Sequence, residues 1–298
     1  MHLKLIRKSL GKLKKLLSII KTHLIKNNIL FGYKDKNKSY SVVTQKYSDF
    51  ALKAALNSKE FTIFRRHHDY IRMLEHSVKK EGEECFEIIY HQYKLSINEI
   101  NEAIQPLEKI GNPKLHYISG LRRRVPCSAL RYLKIALDLK KLKGENFGHV
   151  VEIGCGYGGQ AIILDKIGEI KSYTFLDLWQ VNLLIKRFIE NSEFSAKYTI
   201  STIRNYNGRK SWDLVISNYA FSELGINLQK TYFNEIIANS DCGYMIMNTG
   251  KDQESSEDIH LSKKYLMKKI IGCVCNEEIP TTSYKNYLLS WDGKKKYS

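Results

Sequence analysis

Four glycines packed behind an apolar run mark the stretch of this chain best suited to hold a ligand. Val150, Val151, Glu152 and Ile153 read as a buried parallel strand; Gly154, Gly156, Gly158 and Gly159 follow, and Ala161 to Leu164 resume the apolar pattern as a helix. Glycine admits positive φ and lets a ligand approach the main chain with no Cβ in between. The free N–H groups at the start of the helix form a polar cradle. The spacing Gly154-x-Gly156-x-x-Gly159 satisfies a dinucleotide fingerprint. Glu152 argues the other way. An acid two residues before the first glycine sits at the strand's C-terminal end, where it repels a pyrophosphate and attracts cationic centres such as an ammonium or a sulfonium. A glycine turn that binds nothing is the remaining alternative, disfavoured because surplus glycine costs order.

Two further strand ends supply polar groups. The apolar run 172–177 ends in Asp177, 23 residues after Gly154, where a carboxylate can accept both hydroxyls of a ribose. A helix N-cap ahead of Leu178 is its competing role. The run 212–217 continues into Asn218, Tyr219, Ala220, Phe221, Ser222 and Glu223. Strand ends at this edge of a parallel sheet face the ligand crevice, so Ser217 and Asn218 would line one end of a ligand, and Tyr219, Ser222 and Glu223 would face a second substrate. Glu223 equally suits a helix N-terminus, stabilised by the dipole.

Arg65, Arg66, His67, His68 and Asp69 form another polar concentration. Adjacent histidines do not share a helix face, so this stretch alone makes no metal site. His67 or His68, oriented by Asp69, can act as a base, with Arg65 and Asp69 on the substrate; a solvated polar loop is the alternative. Leu121 to Val125 reads as a basic surface turn.

Those groups need a sheet to carry them. From residue 147 the chain alternates strand and helix, with strands expected at 149–153, 172–177, 197–203, 213–217, 243–248, 272–277 and 286–291. That alternation predicts a parallel, doubly wound α/β sheet. The segment between the last two strands is too short for a crossover helix and predicts an antiparallel hairpin at the sheet edge. Residues 49–110 read as helices, Gly111 to Pro113 as a break, 128–139 as a further helix, and 34–48 as a polar linker.

The net charge of +17 is unevenly spread: residues 1–34 hold nine basic side chains and no acid, 35–145 hold 21 basic and 14 acidic, and 146–298 hold 18 and 17. The nearly neutral last segment argues against a phosphate-lined groove for nucleic acid. Leu3, Ile6, Leu10, Leu13, Leu17, Ile20 and Leu24 make one helical stripe among lysines. The apolar runs are far below the ~20 residues that span a bilayer, and there is no secretory signal pattern. The stripe either packs on protein or lies on an anionic membrane surface. Six cysteines without a Cys-x-x-Cys pair fit reduced thiols in the cytosol.

The pattern Glu152-x-Gly154-x-Gly156-x-Gly158 resembles the first motif of class I S-adenosylmethionine (SAM) methyltransferases. Enzymes of that class that methylate nucleic-acid bases carry an Asn/Asp-Pro-Pro-aromatic motif after the fourth strand; no proline stands there in this chain. Taken together, residues 64–70, 111–113, 130–132, 151–160, 175–178 and 217–224 resemble the sugar O-methyltransferases of bacterial surface-polysaccharide gene clusters. The resemblance runs from about residue 45 to the C-terminus and leaves 1–34 outside.

It implies a Rossmann-like, seven-stranded class I methyltransferase fold with an α-helical N-terminal region, divided as 1–34, 35–145 and 146–298. SAM would be held by Glu152, Gly154, Gly156, Gly158, Asp177, Ser217 and Asn218. The methyl group would pass to a sugar or glycan hydroxyl, with Glu223, His67 or His68 as base and with Arg65, Asp69, Tyr219 and Ser222 on the acceptor. A divalent metal that polarises the hydroxyl is a variant for which the sequence offers no convincing ligand set, so no metal residue is assigned. The expected location is cytoplasmic, with residues 1–34 as the candidate peripheral membrane contact and no nucleic acid partner. The competing functions are methyl transfer to RNA or another small molecule, and a membrane-surface scaffold without turnover.

Overall fold

Strands buried on both faces carry near-continuous apolar runs, and β3 (Asn146–Ile153) is the one around which the sheet forms. The computed structural model describes residues 45–74, 77–248, 260–283 and 285–293. The lysine-rich stripe expected over 1–31, and the membrane contact assigned to 1–34, lie outside the described residues. Seven strands lie in the order β5 (Tyr198–Ser201), β4 (Glu169–Leu176), β3, β6 (Trp212–Asn218), β7 (Ser240–Met247), β9 (Tyr287–Asp292), β8 (Val274–Glu277). The first five are mutually parallel. β9 runs antiparallel between β7 and β8, which is the edge hairpin that the short connection requires. The fold is therefore the Rossmann-like α/β sheet expected for the class I methyltransferase layout.

From β3 the chain builds outward through β4 to β5, then returns to place β6 on the other side of β3. This reversal opens a crevice beyond the C-terminal ends of β3 and β6. Alternate residues feed two cores. Val150, Leu214, Ile216 and Tyr244 face α6 (Cys127–Lys143), α7 (Gly159–Ile167) and α8 (Trp179–Glu190). Val151, Val215 and Met245 face α9 (Ile226–Glu235) and α10 (Lys263–Lys269).

α6 follows Pro126 and stops at Gly144, whose φ of +90° suits glycine. It is buried at every position from Cys127 to Leu137, because α4 (Lys79–His91) and α5 (Ile97–Ile104) pack over it; in the same outer layer α1 (Gln45–Leu56) packs on α8 and carries α2 (Ser58–Ile63) and α3 (His68–Leu74). A capping box opens α5, with Ser96 Oγ accepting from Glu99 N–H (3.3 Å) and Glu99 accepting from Ser96 N–H (2.8 Å). Arg187 of α8 ties the layers together by donating to the Ala54 and Ala55 carbonyls at 3.3 and 2.9 Å.

Two expectations are corrected here. The polar linker expected to reach Ser48 already becomes α1 at Gln45, with Tyr47 and Ser48 buried, because Tyr47 joins an aromatic group at 6.1 Å from Tyr70. The basic turn expected at 121–125 is in part strand β2 (Arg123–Val125), paired with β1 (His116–Ile118). There Arg123 forks onto Glu108 at 2.6 and 3.0 Å.

The break at 111–113 does more than end a helix. Gly111 has φ +78°, and a Cβ there would meet the Phe64 ring at 2.3 Å; its carbonyl accepts from Arg65 N–H at 3.0 Å. Gly111→Ala is expected to lower stability by about 2–4 kcal/mol, from the left-handed penalty and overpacking together. Urea denaturation measures this, and an unchanged midpoint would contradict the packing of Gly111 on Phe64.

Candidate functional site

The glycine turn between β3 and α7 takes positive φ at Gly154 (+74°), Gly156 (+58°) and Gly158 (+90°). Gly154 is required on a second ground: a Cβ would meet that of Ala220, on the loop after β6, at 2.0 Å. Tyr157 anchors the turn. It is fully buried, with its ring edge-on to Phe188 (4.8 Å), Phe64 (5.8 Å) and Tyr132 (6.1 Å) and 4.7 Å from the Arg65 guanidinium. Segments far apart in sequence thus meet at one turn.

Two acids flank it. Glu152 is 2% exposed and accepts the Tyr173 hydroxyl at 2.8 Å. Burial pushes its carboxyl up to about 8, against the stabilising effect of that hydrogen bond. Asp177 accepts Leu178 N–H at 2.7 Å and Gly156 N–H at 3.1 Å, so it pins the glycine turn to the end of β4. Burial raises it to about 6, the backbone donors pulling the other way. Leu178 is the N-cap of α8 and no side-chain cap is made there; Asp177 therefore does not serve as the helix cap.

The loop after β6 is held from several sides. Ser217 is buried and spends its hydroxyl on the main chain, donating to Ile153 O and accepting Phe221 N–H, both at 3.1 Å. Asn218 presents a buried Oδ1 with no hydrogen-bond partner. Tyr219 adopts φ +70°, a strained state for a bulky residue. Its N–H on Ile246 O (2.8 Å) and the Ser222 hydroxyl on its own carbonyl (2.6 Å) hold it there. Its hydroxyl donates to Glu278. Ser222 also accepts Asn248 N–H at 2.8 Å. Glu223 accepts from Asn248 Nδ2 at 3.1 Å, and burial raises its carboxyl.

In the polar run 65–69 only Arg65 is buried; Arg66 and His68 are exposed and His67 and Asp69 are half-buried. Arg65 is fully buried, donating to the Leu107 carbonyl and, at 3.1 Å, to Ser128 Oγ. The buried Leu107 carbonyl and Ser128 hydroxyl need a donor inside the protein, so Arg65 is a core group. The His67 ring stacks on Phe50 at 3.6 Å and its Nδ1 accepts Asp69 N–H at 3.3 Å. His68 is exposed, 3.4 Å from Asp69. The contacts of both histidines are thus with Phe50 and Asp69, while Tyr219, Ser222 and Glu223 gather at the crevice. Among the described residues no group of three or more His, Cys, Asp or Glu is placed to hold a metal ion.

Sequence reading missed a small hollow of about 10 Å³ lined by Glu81, Arg131, Lys134, Tyr219, Tyr244 and Glu278 among others. The signal was present on α6, where Arg131, Lys134 and Asp138 share one helix face at spacings of three and four.

No family model and no curated protein matches the chain. Among solved structures it is similar to an S-adenosylmethionine-dependent methyltransferase from Clostridium acetobutylicum, at 10% identity over 55% of this chain and 92% of that one, TM-score 0.43. It is also similar to the N-methyltransferase NodS from Bradyrhizobium japonicum, at 12% identity over 53% of this chain and 93% of that one, TM-score 0.40.

Both buried acids hold their protons more tightly in the folded chain than in the unfolded one. Their contribution to stability is complete at low pH and is lost as pH rises, through about 6 for Asp177 and about 8 for Glu152. Between pH 6 and 8 the loss belongs mainly to Glu152. The urea midpoint of the parent is expected to fall across that window relative to Glu152→Gln. Parallel pH profiles for the two proteins would rule out a buried, proton-holding Glu152.

Proposed function

We propose that this chain is a SAM-dependent methyltransferase that O-methylates a sugar hydroxyl during the assembly of a surface polysaccharide. One observation carries the reading: Glu152, Asp177 and the unpaired Asn218 Oδ1 converge with the left-handed glycines at the sheet's switch point. These residues fit the cofactor. A buried acceptor without a donor at Asn218, two residues beyond the strand partner of Glu152, suits an ammonium group. Asp177 uses one backbone donor on each oxygen and retains lone pairs for ribose hydroxyls. Gln180 Oε1 and Asn182 Oδ1, shortly after Asp177, are further buried acceptors without partners and suit a ligand that brings N–H groups.

When bound, SAM supplies an electrophilic methyl group on a sulfonium. The chain's contribution is position: a fixed turn, a rigid sheet edge and a strained Tyr219 hold the two reactants in line, and such positioning can supply ~7–11 kcal/mol of the barrier. A hydroxyl must lose its proton as the new bond forms. Of the bases expected from sequence, Glu223 is the one half-buried at the crevice, with its affinity for a proton raised by burial. The sugar as acceptor rests on the resemblance of residues 64–70 and 217–224.

A carboxyl titrating at about 8 is largely protonated at pH 7 and must give up that proton when a cation settles against it. Calorimetry of SAM binding at pH 7, in buffers of different ionisation enthalpy, is expected to show close to one proton released. Glu152→Gln should abolish the release, and Asp177→Asn should weaken binding by about 1–3 kcal/mol. A parent that fails to bind SAM overturns the reading. Mass spectrometry of surface polysaccharide with and without the gene tests the acceptor, the expected change being loss of one methyl group per repeat.

A further inference from the structure

The tip that joins β8 to β9 is a surface loop with one inward exception. Among its described residues Glu278 alone is buried, at 4% exposure. A carboxylate on a surface loop is hydrated at no cost, so turning one inward must be offset by bonds made inside. Glu278 Oε2 accepts Thr282 N–H (3.1 Å), Thr282 Oγ1 (2.7 Å) and Asn286 Nδ2 (3.1 Å), and these three bonds close the tip on itself. Oε1 reaches out of the tip and accepts the hydroxyl of Tyr219, on the loop after β6. Thr282 Oγ1 stands 3.4 Å from the same hydroxyl.

Tyr219 is where that loop needs holding. Its φ of +70° is a strained state that persists only where the surroundings over-determine it. The main-chain bonds at Ile246 O and Ser222 Oγ hold its backbone. The ring has two further supports, the Arg131 guanidinium 6.0 Å from its centre and Glu278 at its far end. The turn of the chain at 219 sets how Asn218 leaves β6, and Asn218 carries the buried Oδ1 without a partner. The glycine turn has separate anchors, in Leu176 O, Asp177 and the ring of Tyr157. The tip is thus wired to the loop bearing Asn218, and the glycine turn to β4 and the outer helices.

We propose that Glu278 is a positioning residue: through Tyr219 it fixes the loop that presents Asn218, and so governs how tightly the amino-acid end of the cofactor is held. The nucleoside end, at Asp177, is independent of it. The proposal rests on the methyl-transfer reading.

The test uses the full chain and two thioethers that differ only at that end, S-adenosylhomocysteine and 5′-methylthioadenosine, with calorimetry as the readout. The parent is expected to bind the first more tightly. Tyr219→Phe removes one oxygen and should weaken the first about tenfold, the usual worth of one hydrogen bond to a charged group, while leaving the second unchanged. Glu278→Ala should match it, and the double variant should lose no more than either single one. Glu278→Gln should recover most of the affinity, because a phenol hydroxyl accepts from an amide as readily as it donates. Ser283→Ala, exposed in the same tip, should behave as the parent. Amide hydrogen exchange reads the same contact without a ligand: residues 218–224 should exchange about tenfold faster in Tyr219→Phe and Glu278→Ala, with Gly154 to Gly158 at the parent rate. Tyr219→Phe leaves the tip's own bonds intact, so the test survives a Glu278→Ala that fails to fold. Equal weakening of both thioethers, additive losses in the double variant, or unchanged exchange at 218–224 overturns the proposal. A parent that binds neither thioether sinks the methyl-transfer reading, and the exchange comparison then decides by itself whether Glu278 fixes the loop.

Discussion

A strand that runs into three left-handed glycines cannot hold its following helix in place by itself, because glycine gives up more conformational freedom than any other residue on ordering. The structure depends on how that turn is fixed. Gly154 N–H reaches Leu176 O at 2.9 Å, Gly156 N–H reaches Asp177 at 3.1 Å, and Gly158 N–H closes on Cys155 O at 2.9 Å. Tyr157, the large side chain at the centre of the turn, is clamped among Phe64, Tyr132 and Phe188. The neighbouring strand and the outer helices thus both end at the same few main-chain atoms. The helical layer of residues 45–143 holds the glycine turn in shape as well as covering it.

That dependence explains what could be read from sequence. Period and punctuation revealed the strands, their order of succession and the edge hairpin, because each is a local pattern imposed by burial on one or both faces. The groups at strand ends, Glu152, Asp177, Asn218 and Tyr219, were legible for the same reason: a parallel sheet sends its C-terminal ends to one edge. Arg65 misled because its burial is decided from a distance. Arg65 lies inside because the Leu107 carbonyl and Ser128 need its donors, and no local pattern encodes a partner 42 or 63 residues away.

The charged hollow was invisible for a related reason. Glu81, Arg131, Lys134 and Glu278 come from two helices and an edge loop, and each taken alone resembles an ordinary surface charge. Only their common burial sets them apart. Arg131 and Lys134 interrupt a helix that is otherwise apolar through this region, and a cation on a helix covered by protein on all sides needs an acid brought to it. α4 supplies Glu81 to the first, and the next turn of α6 supplies Asp138 to the second.

The edge hairpin has a consequence for how such a chain can diversify. The loop that bears Glu278, Pro280 and Thr282 hangs between β8 and β9, the two strands farthest from the glycine turn. Main-chain pairing of Glu277 with Tyr287 fixes its base; its tip carries no strand register. Insertions, deletions or exchanges in that tip would reshape one wall of the hollow without altering β3, β4 or the turn between β3 and α7. Evolution could therefore edit this appendage while the sheet edge that holds Glu152 and Asp177 is inherited unchanged.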